Sequence, residues 1–113
     1  MIKNKFHKNL TQERWQKFSA KEQILNIAAE LSRAKFWLEG KNEKQILNCL
    51  NRAFELIDLT IYAFKNQRAL KELLRFREVL AQFYINKDKN IEEFKKIFKT
   101  LLMFNKFTSL VEI

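Results

Sequence analysis

The chain has 113 residues, 47% of them apolar and 31% charged, which excludes a disordered low-hydrophobicity segment and a membrane protein and leaves a soluble globular class of about one domain. No proline, one glycine (Gly40) and one cysteine (Cys49) leave almost none of the turn chemistry that hairpins, sandwiches and barrels need, so an all-β fold is excluded. Lys and Arg outnumber Asp and Glu by 22 to 13, a formal charge of +9 whose field attracts nucleic acid, anionic lipid or acidic protein.

The N-terminus is a basic arm. Lys3, Lys5, Lys8, Arg14, Lys17 and Lys21 stand against a single acid, Glu13, so residues 1–21 hold +5 of the +9. Ile2, Phe6 and Leu10 are isolated among polar residues, which is not the pattern of a signal peptide. Within residues 1–18, Thr11 caps a short helix carrying Trp15 and Phe18.

Ser19 and Glu22 form a capping box that opens a helix over 20–39. Ile24, Ile27, Ala28, Leu31, Ala34 and Leu38 share its inner face, and Gly40 is expected to supply the left-handed residue that ends it. Asn42 with Gln45 repeats the cap for a helix over 43–65, with Ile46, Leu50, Ala53, Ile57, Thr60, Ile61 and Phe64 as its stripe. The second half of this helix is apolar nearly all round, as for an element covered on several sides. A third helix over 67–85 presents Leu70, Leu73, Leu74, Leu80, Ala81 and Tyr84. Asn90 with Glu93 caps the fourth, where Ile91, Phe94, Ile97, Phe98, Leu101 and Leu102 oppose Lys95, Lys96 and Lys99. That helix is basic and amphipathic, but a bundle needs its apolar stripe for the core. Residues 106–113 form an apolar tail. Short connections make successive helices antiparallel neighbours, so the expected architecture is all-α: an antiparallel four-helix bundle over 19–105 with a short extra N-terminal helix. The longest apolar run, Leu101 to Phe104, is far short of the roughly 18 residues that span a bilayer.

Trp37, Gly40, Ala53, Glu55 and Leu56 resemble the helix pair of a tetratricopeptide repeat, with glycine at the turn and an A-x-E-L ending. The resemblance covers about one repeat with a one-residue insertion and Ile46 at a position the family keeps small; no second copy follows, and it implies no function.

Catalytic and metal chemistry find few groups. His7 is the only histidine, and it sits in the charged arm. One cysteine cannot form an internal disulfide, and one cysteine with one histidine cannot build a Cys/His metal site, so neither metal nor cofactor is expected and a reducing, cytoplasmic setting fits. Cys49 reads as a small buried hydrophobe. Toxin ribonucleases of the HEPN class are similar in size and helicity, but no histidine follows His7 to complete their Arg…His motif. Glu55 and Asp58 lie three apart on the second long helix. Arg77 falls near the middle of the third helix's apolar face, where an unpaired charge is costly, so a buried ion pair of Arg77 with Asp58, Glu55 or an acid across a dimer interface is expected.

Two binding surfaces stand out. Lys65, Arg68, Lys71 and Arg75 recur at three- or four-residue spacing and, with Lys17 and Lys21 beside the arm, form a basic stripe able to follow a phosphate backbone. Trp37 falls with Asn26, Glu30 and Arg33 on a polar side, so Trp37 and Arg33 read as a protein-interface anchor, unless Trp15 or Phe18 folds over Trp37. Eleven phenylalanines exceed what one small core requires, which favours a homo-oligomer. The expected function is therefore a non-catalytic helical binding module. Its partner is RNA or DNA bound through the backbone without base readout, as in a small subunit of a nucleoprotein complex, or, for a homodimeric adaptor or chaperone, an acidic or amphipathic protein segment.

Overall fold

The computed structural model describes the backbone of residues 10–111 and the side chains of residues 10–104. Five helices account for the described secondary structure: α1 (Gln12–Gln16), α2 (Ala20–Glu39), α3 (Glu43–Ala63), α4 (Gln67–Ile85) and α5 (Ile91–Val111). Among the described residues there is no strand, and no helix is long and apolar enough to cross a membrane.

Side-chain oxygens set where these helices begin. The Thr11 hydroxyl accepts from the Arg14 amide, and the Ser19 hydroxyl accepts from Glu22 N–H while the Glu22 carboxylate accepts from Ser19 N–H. That last bond, and then the hydroxyl, hold the exposed Glu22 carboxyl below its ordinary pKa. Asn42, Asn66 and Asn90 repeat the arrangement for α3, α4 and α5. At the end of α4 the Lys89 ammonium donates to the carbonyls of Tyr84 and Asn86, a cation on a helix C-terminus.

The end of α2 departs from expectation. Gly40 is right-handed, with φ −83°, and the left-handed residue is Lys41, with φ 57°. The Asn42 amide donates to Trp37 O at 3.0 Å and the Lys41 amide to Leu38 O at 3.1 Å, which is the Schellman pattern with C′ at position 41. The glycine stands one residue too early to relieve the strain.

In the core, α2 packs along α3 and α5, α4 packs along the same two helices, and α1 lies on α3. Leu50, Ala53, Leu56, Ile57, Leu59 and Thr60 of α3 are buried, whereas Ile61 and Ala63 are half-buried and Tyr62 is exposed, so the apolar second half of α3 is not covered all round at its end. Trp15 docks α1. It is 2% exposed, and its indole N–H donates to Thr60 Oγ1 at 2.9 Å while that hydroxyl donates to Leu56 O at 2.7 Å. Gln12 Nε2 donates to Leu59 O, and Gln23 Nε2 donates to Trp15 O, tying α1 to α3 and α2.

Three expectations need correction. The core face of α4 is Ala69, Leu73, Phe76, Leu80 and Phe83, with Leu74 exposed and Leu70, Ala81 and Tyr84 half-buried. Two apolar stripes compete on this helix, and the one carrying two phenylalanines buries more area. On α2, Gln23 and Glu30 are buried, because a helix flanked by both α3 and α5 hides an arc wider than one stripe. Finally, α5 runs to Val111, so no break separates a tail at residue 106; residues 112 and 113 lie outside the described residues.

Two measurements check this account. Gly40→Ala should stabilise the chain by about 0.4–1 kcal/mol in urea unfolding, since its backbone is right-handed and a Cβ would meet only Trp37 O at 3.7 Å and Phe36 O at 3.8 Å; Lys41→Gly should stabilise by a similar amount through relief of the left-handed strain. Thr60→Val should cost about 1–3 kcal/mol by leaving the Trp15 N–H buried without an acceptor, and should cost clearly less in a Trp15→Phe background.

Candidate functional site

The basic residues of α4 separate into two sets once the helix is in place. Arg68, Glu72, Arg75 and Val79 follow one edge at i, i+4, i+7 and i+11. Opposite them stand Thr100, Met103 and Phe104 of α5, and together with Phe76 these residues line a groove of about 440 Å³. The Arg75 guanidinium donates to Glu72 Oε1 at 3.5 Å. Val79 and Met103 are exposed, so apolar surface adjoins the two arginines in the groove. Lys71 is exposed on the neighbouring flank of α4, and Lys65 is exposed in the connection that precedes it. Lys17 and Lys21 are exposed where α1 meets α2, apart from the helix that bears the stripe; Lys3, Lys5, His7 and Lys8 lie outside the described residues.

The planar fork of a guanidinium suits phosphate and carboxylate, and two of them 7 positions apart span about two helical turns. The apolar lining of this groove escaped the sequence, where Lys65, Arg68, Lys71 and Arg75 define the stripe without Val79. Its register with Arg68 and Arg75 is the signal that could have found it.

Arg77 pairs with Asp58. Its Nε donates to Oδ1 at 2.7 Å and its NH2 to Oδ2 at 3.4 Å, and its guanidinium carbon lies 5.2 Å from the Phe54 ring centre. The pair is half-exposed rather than buried, because the rotation of α4 moves Arg77 from the middle of the core face to its margin. Asp58 and Arg77 line an open hollow with Ile61, Tyr62 and Leu74. Further along the same seam Tyr84 stands edge-on to Phe54 and accepts from Asn51 Nδ2. Glu55 is half-buried one turn before Asp58. The Arg77 fork is committed to a carboxylate and an aromatic face, which is a structural use of the group.

Trp37 is half-buried against the core, edge-on to Phe36 at 5.0 Å, and Phe36 is the exposed ring of the two. Trp15 does not cover it, since Trp15 packs against Phe18 and Thr60. Arg33 is exposed and pairs with Glu30 one turn earlier on its own helix.

A buried polar cluster joins α2 to α3. Glu30 is 4% exposed and accepts from Arg33 through Oε1, while Glu30 Oε2 and Gln23 Oε1 have no hydrogen-bond partner among the described residues. Cys49 is buried, with the Arg52 guanidinium 3.8 Å from its sulfur. Burial pushes the Cys49 thiol above its ordinary value of 9.0, and the Glu30 charge adds to the push against the opposing charges of Arg52 and Arg33. A thiol held protonated is a poor nucleophile. Among the described residues no group of three or more His, Cys, Asp and Glu side chains could hold a metal ion.

The chain matches no family model, no curated protein and no solved structure.

The folded chain holds the Cys49 proton more tightly than the unfolded chain does. The stability this contributes is fully present below pH 9.0 and is lost as pH rises through the folded pKa. Urea unfolding of reduced protein should therefore show wild type losing more stability than Cys49→Ala above pH 9.0; parallel profiles for the two chains would contradict it.

Proposed function

We propose that the protein is a non-catalytic binding module in which α2 to α5 close as an antiparallel four-helix bundle and the basic side of α4 holds the sugar-phosphate backbone of RNA or DNA. The cyclic packing of α2 on α3, α3 on α4, α4 on α5 and α5 on α2 supports the bundle. The observation that carries the function is the exposure of Lys65, Arg68, Lys71 and Arg75 together, over the start and middle of one helix of a +9 chain. Point charges spaced along a rod follow a phosphate chain without reading bases, and the basic arm adds cations to the same field.

One observation favours a second reading. The apolar surface of Val79 and Met103, in one groove with Arg68 and Arg75, suits an acidic amphipathic protein segment, whose apolar face would enter the groove while its carboxylates meet the guanidiniums.

A salt series separates the two. Wild-type protein titrated into labelled single-stranded RNA and duplex DNA should show a steep negative log–log salt slope, and the Arg68→Glu/Lys71→Glu/Arg75→Glu variant, with unchanged circular dichroism, should lose roughly two to three units of that slope. Val79→Asn, which removes apolar surface without changing the charge, should leave nucleic-acid binding nearly unchanged. If wild type binds neither nucleic acid, or the triple variant keeps the wild-type slope, the backbone reading is wrong and the groove is the surface to test with acidic peptides.

A further inference from the structure

The outward side of α2 is apolar. Leu25, Ala29, Ser32 and Phe36 recur at i, i+4, i+7 and i+11, opposite the buried Ile27, Leu31, Ala34 and Leu38, and all four are exposed, Leu25 at 45% and Phe36 at 65%. Solvent-facing helix positions are ordinarily charged or polar. Here large side chains hold the two ends and small ones the middle.

We propose that this stripe is the contact with a second copy of the chain, the two α2 helices packing antiparallel about a two-fold axis. The pattern large, small, small, large is its own complement when reversed. Leu25 of one copy meets Phe36 of the other, Ala29 meets Ser32, and the small pair at the centre lets the backbones approach closely. The Ser32 hydroxyl can return to a carbonyl of its own helix, so it need not be left unsatisfied.

Charge identifies the occupant as a second copy. Within α2, Lys21, Arg33 and Lys35 balance Glu22, Glu30 and Glu39, so this helix has no net charge in a chain of +9. Two copies meeting there avoid the repulsion that contact through α4 or the arm would bring. Antiparallel packing places Lys21 of each copy beside Glu39 of the other, on the same flank at both ends. Both side chains are exposed, and Glu39 lies 4.0 Å from the Lys35 ammonium. Parallel packing would keep Lys21 of each copy about a helix length from Glu39 of the other. The contact uses neither Arg68 nor Arg75 and does not depend on what α4 binds.

Sedimentation of the full chain across a dilution series tests the proposal. Wild type should dimerise reversibly. Ala29→Glu and Phe36→Glu, both at exposed positions and checked for unchanged helicity, should each raise the dimer dissociation constant about tenfold or more. Lys21→Glu and Glu39→Lys should each weaken the dimer by a few-fold, and the double variant should recover wild-type affinity, since the swap recreates both cross-pairs. A wild-type chain that is monomeric at every concentration overturns the proposal, as does a dimer indifferent to Ala29→Glu. Failure of the double swap to rescue overturns the antiparallel register.

Discussion

Thr11, Ser19, Asn42, Asn66 and Asn90 each accept a hydrogen bond from the backbone amide three residues on, and the rest of the fold depends on these five oxygens. A chain without proline and with one glycine has no residue that breaks a helix by conformation alone. It stops its helices by offering the next amides a better partner, each cap contributing about 1 kcal/mol. The connections are correspondingly short: residues 40–42 between α2 and α3, and 64–66 between α3 and α4. Such brief links leave consecutive helices no choice but to lie side by side, which is why α2 meets α3 and α3 meets α4. The contact of α2 with α5 has no such local cause and must come from hydrophobic burial.

That burial falls unevenly. Because α2 is flanked by α3 and α5, its hidden arc takes in Gln23 and Glu30 along with the aliphatic residues. Gln23 offsets the cost of burial by donating to the end of α1, where Trp15 is already fixed to Thr60. Glu30 keeps one oxygen on Arg33 and leaves the other without a partner among the described residues, beside a thiol that its charge helps keep protonated. Gln23 and Glu30 thus lie inside on α2 while Leu25 and Phe36 lie outside, against the sense of the rest of the helix.

Helix starts were legible in the sequence because a cap is a local event: Ser19 with Glu22 and Asn42 with Gln45 need no knowledge of the rest of the chain. Rotation about a helix axis is not local. On α4, Leu70, Leu74 and Ala81 form as good a stripe as Ala69, Leu73 and Phe76, and only the neighbours decide between them. The need of Arg77 for a carboxylate was legible in spite of that, with Asp58, Glu55 and an acid of a second copy left open; the choice of Asp58 and the degree of exposure were not. Gly40 misled for a similar reason. Its residue type suggests a left-handed end, but the hydrogen bonds of Lys41 and Asn42 place that residue one position later. Trp37 read as an anchor because it falls with the polar Asn26, Glu30 and Arg33, but Glu30 is buried and Phe36 beside Trp37 holds the exposed position.

The charge is distributed by helix. α2 has no net charge and α3 carries two cations against three acids, so the net positive charge resides in the N-terminal arm, in α4 and α5 and in the connections that hold Lys41, Lys65, Lys87 and Lys89. Long-range attraction of a polyanion and close contact between like copies make opposite demands on a surface: the first needs uncompensated charge, the second needs its absence. A helical chain of this size can meet both only by giving them different helices. The apolar outward stripe lies on the neutral α2, and the exposed cations lie on α4, which the contacts of α2 with α3 and α5 leave on the far side of the core. A charge introduced on the outer face of α2 and a charge removed from α4 therefore act on separate surfaces, and their effects should add rather than interfere.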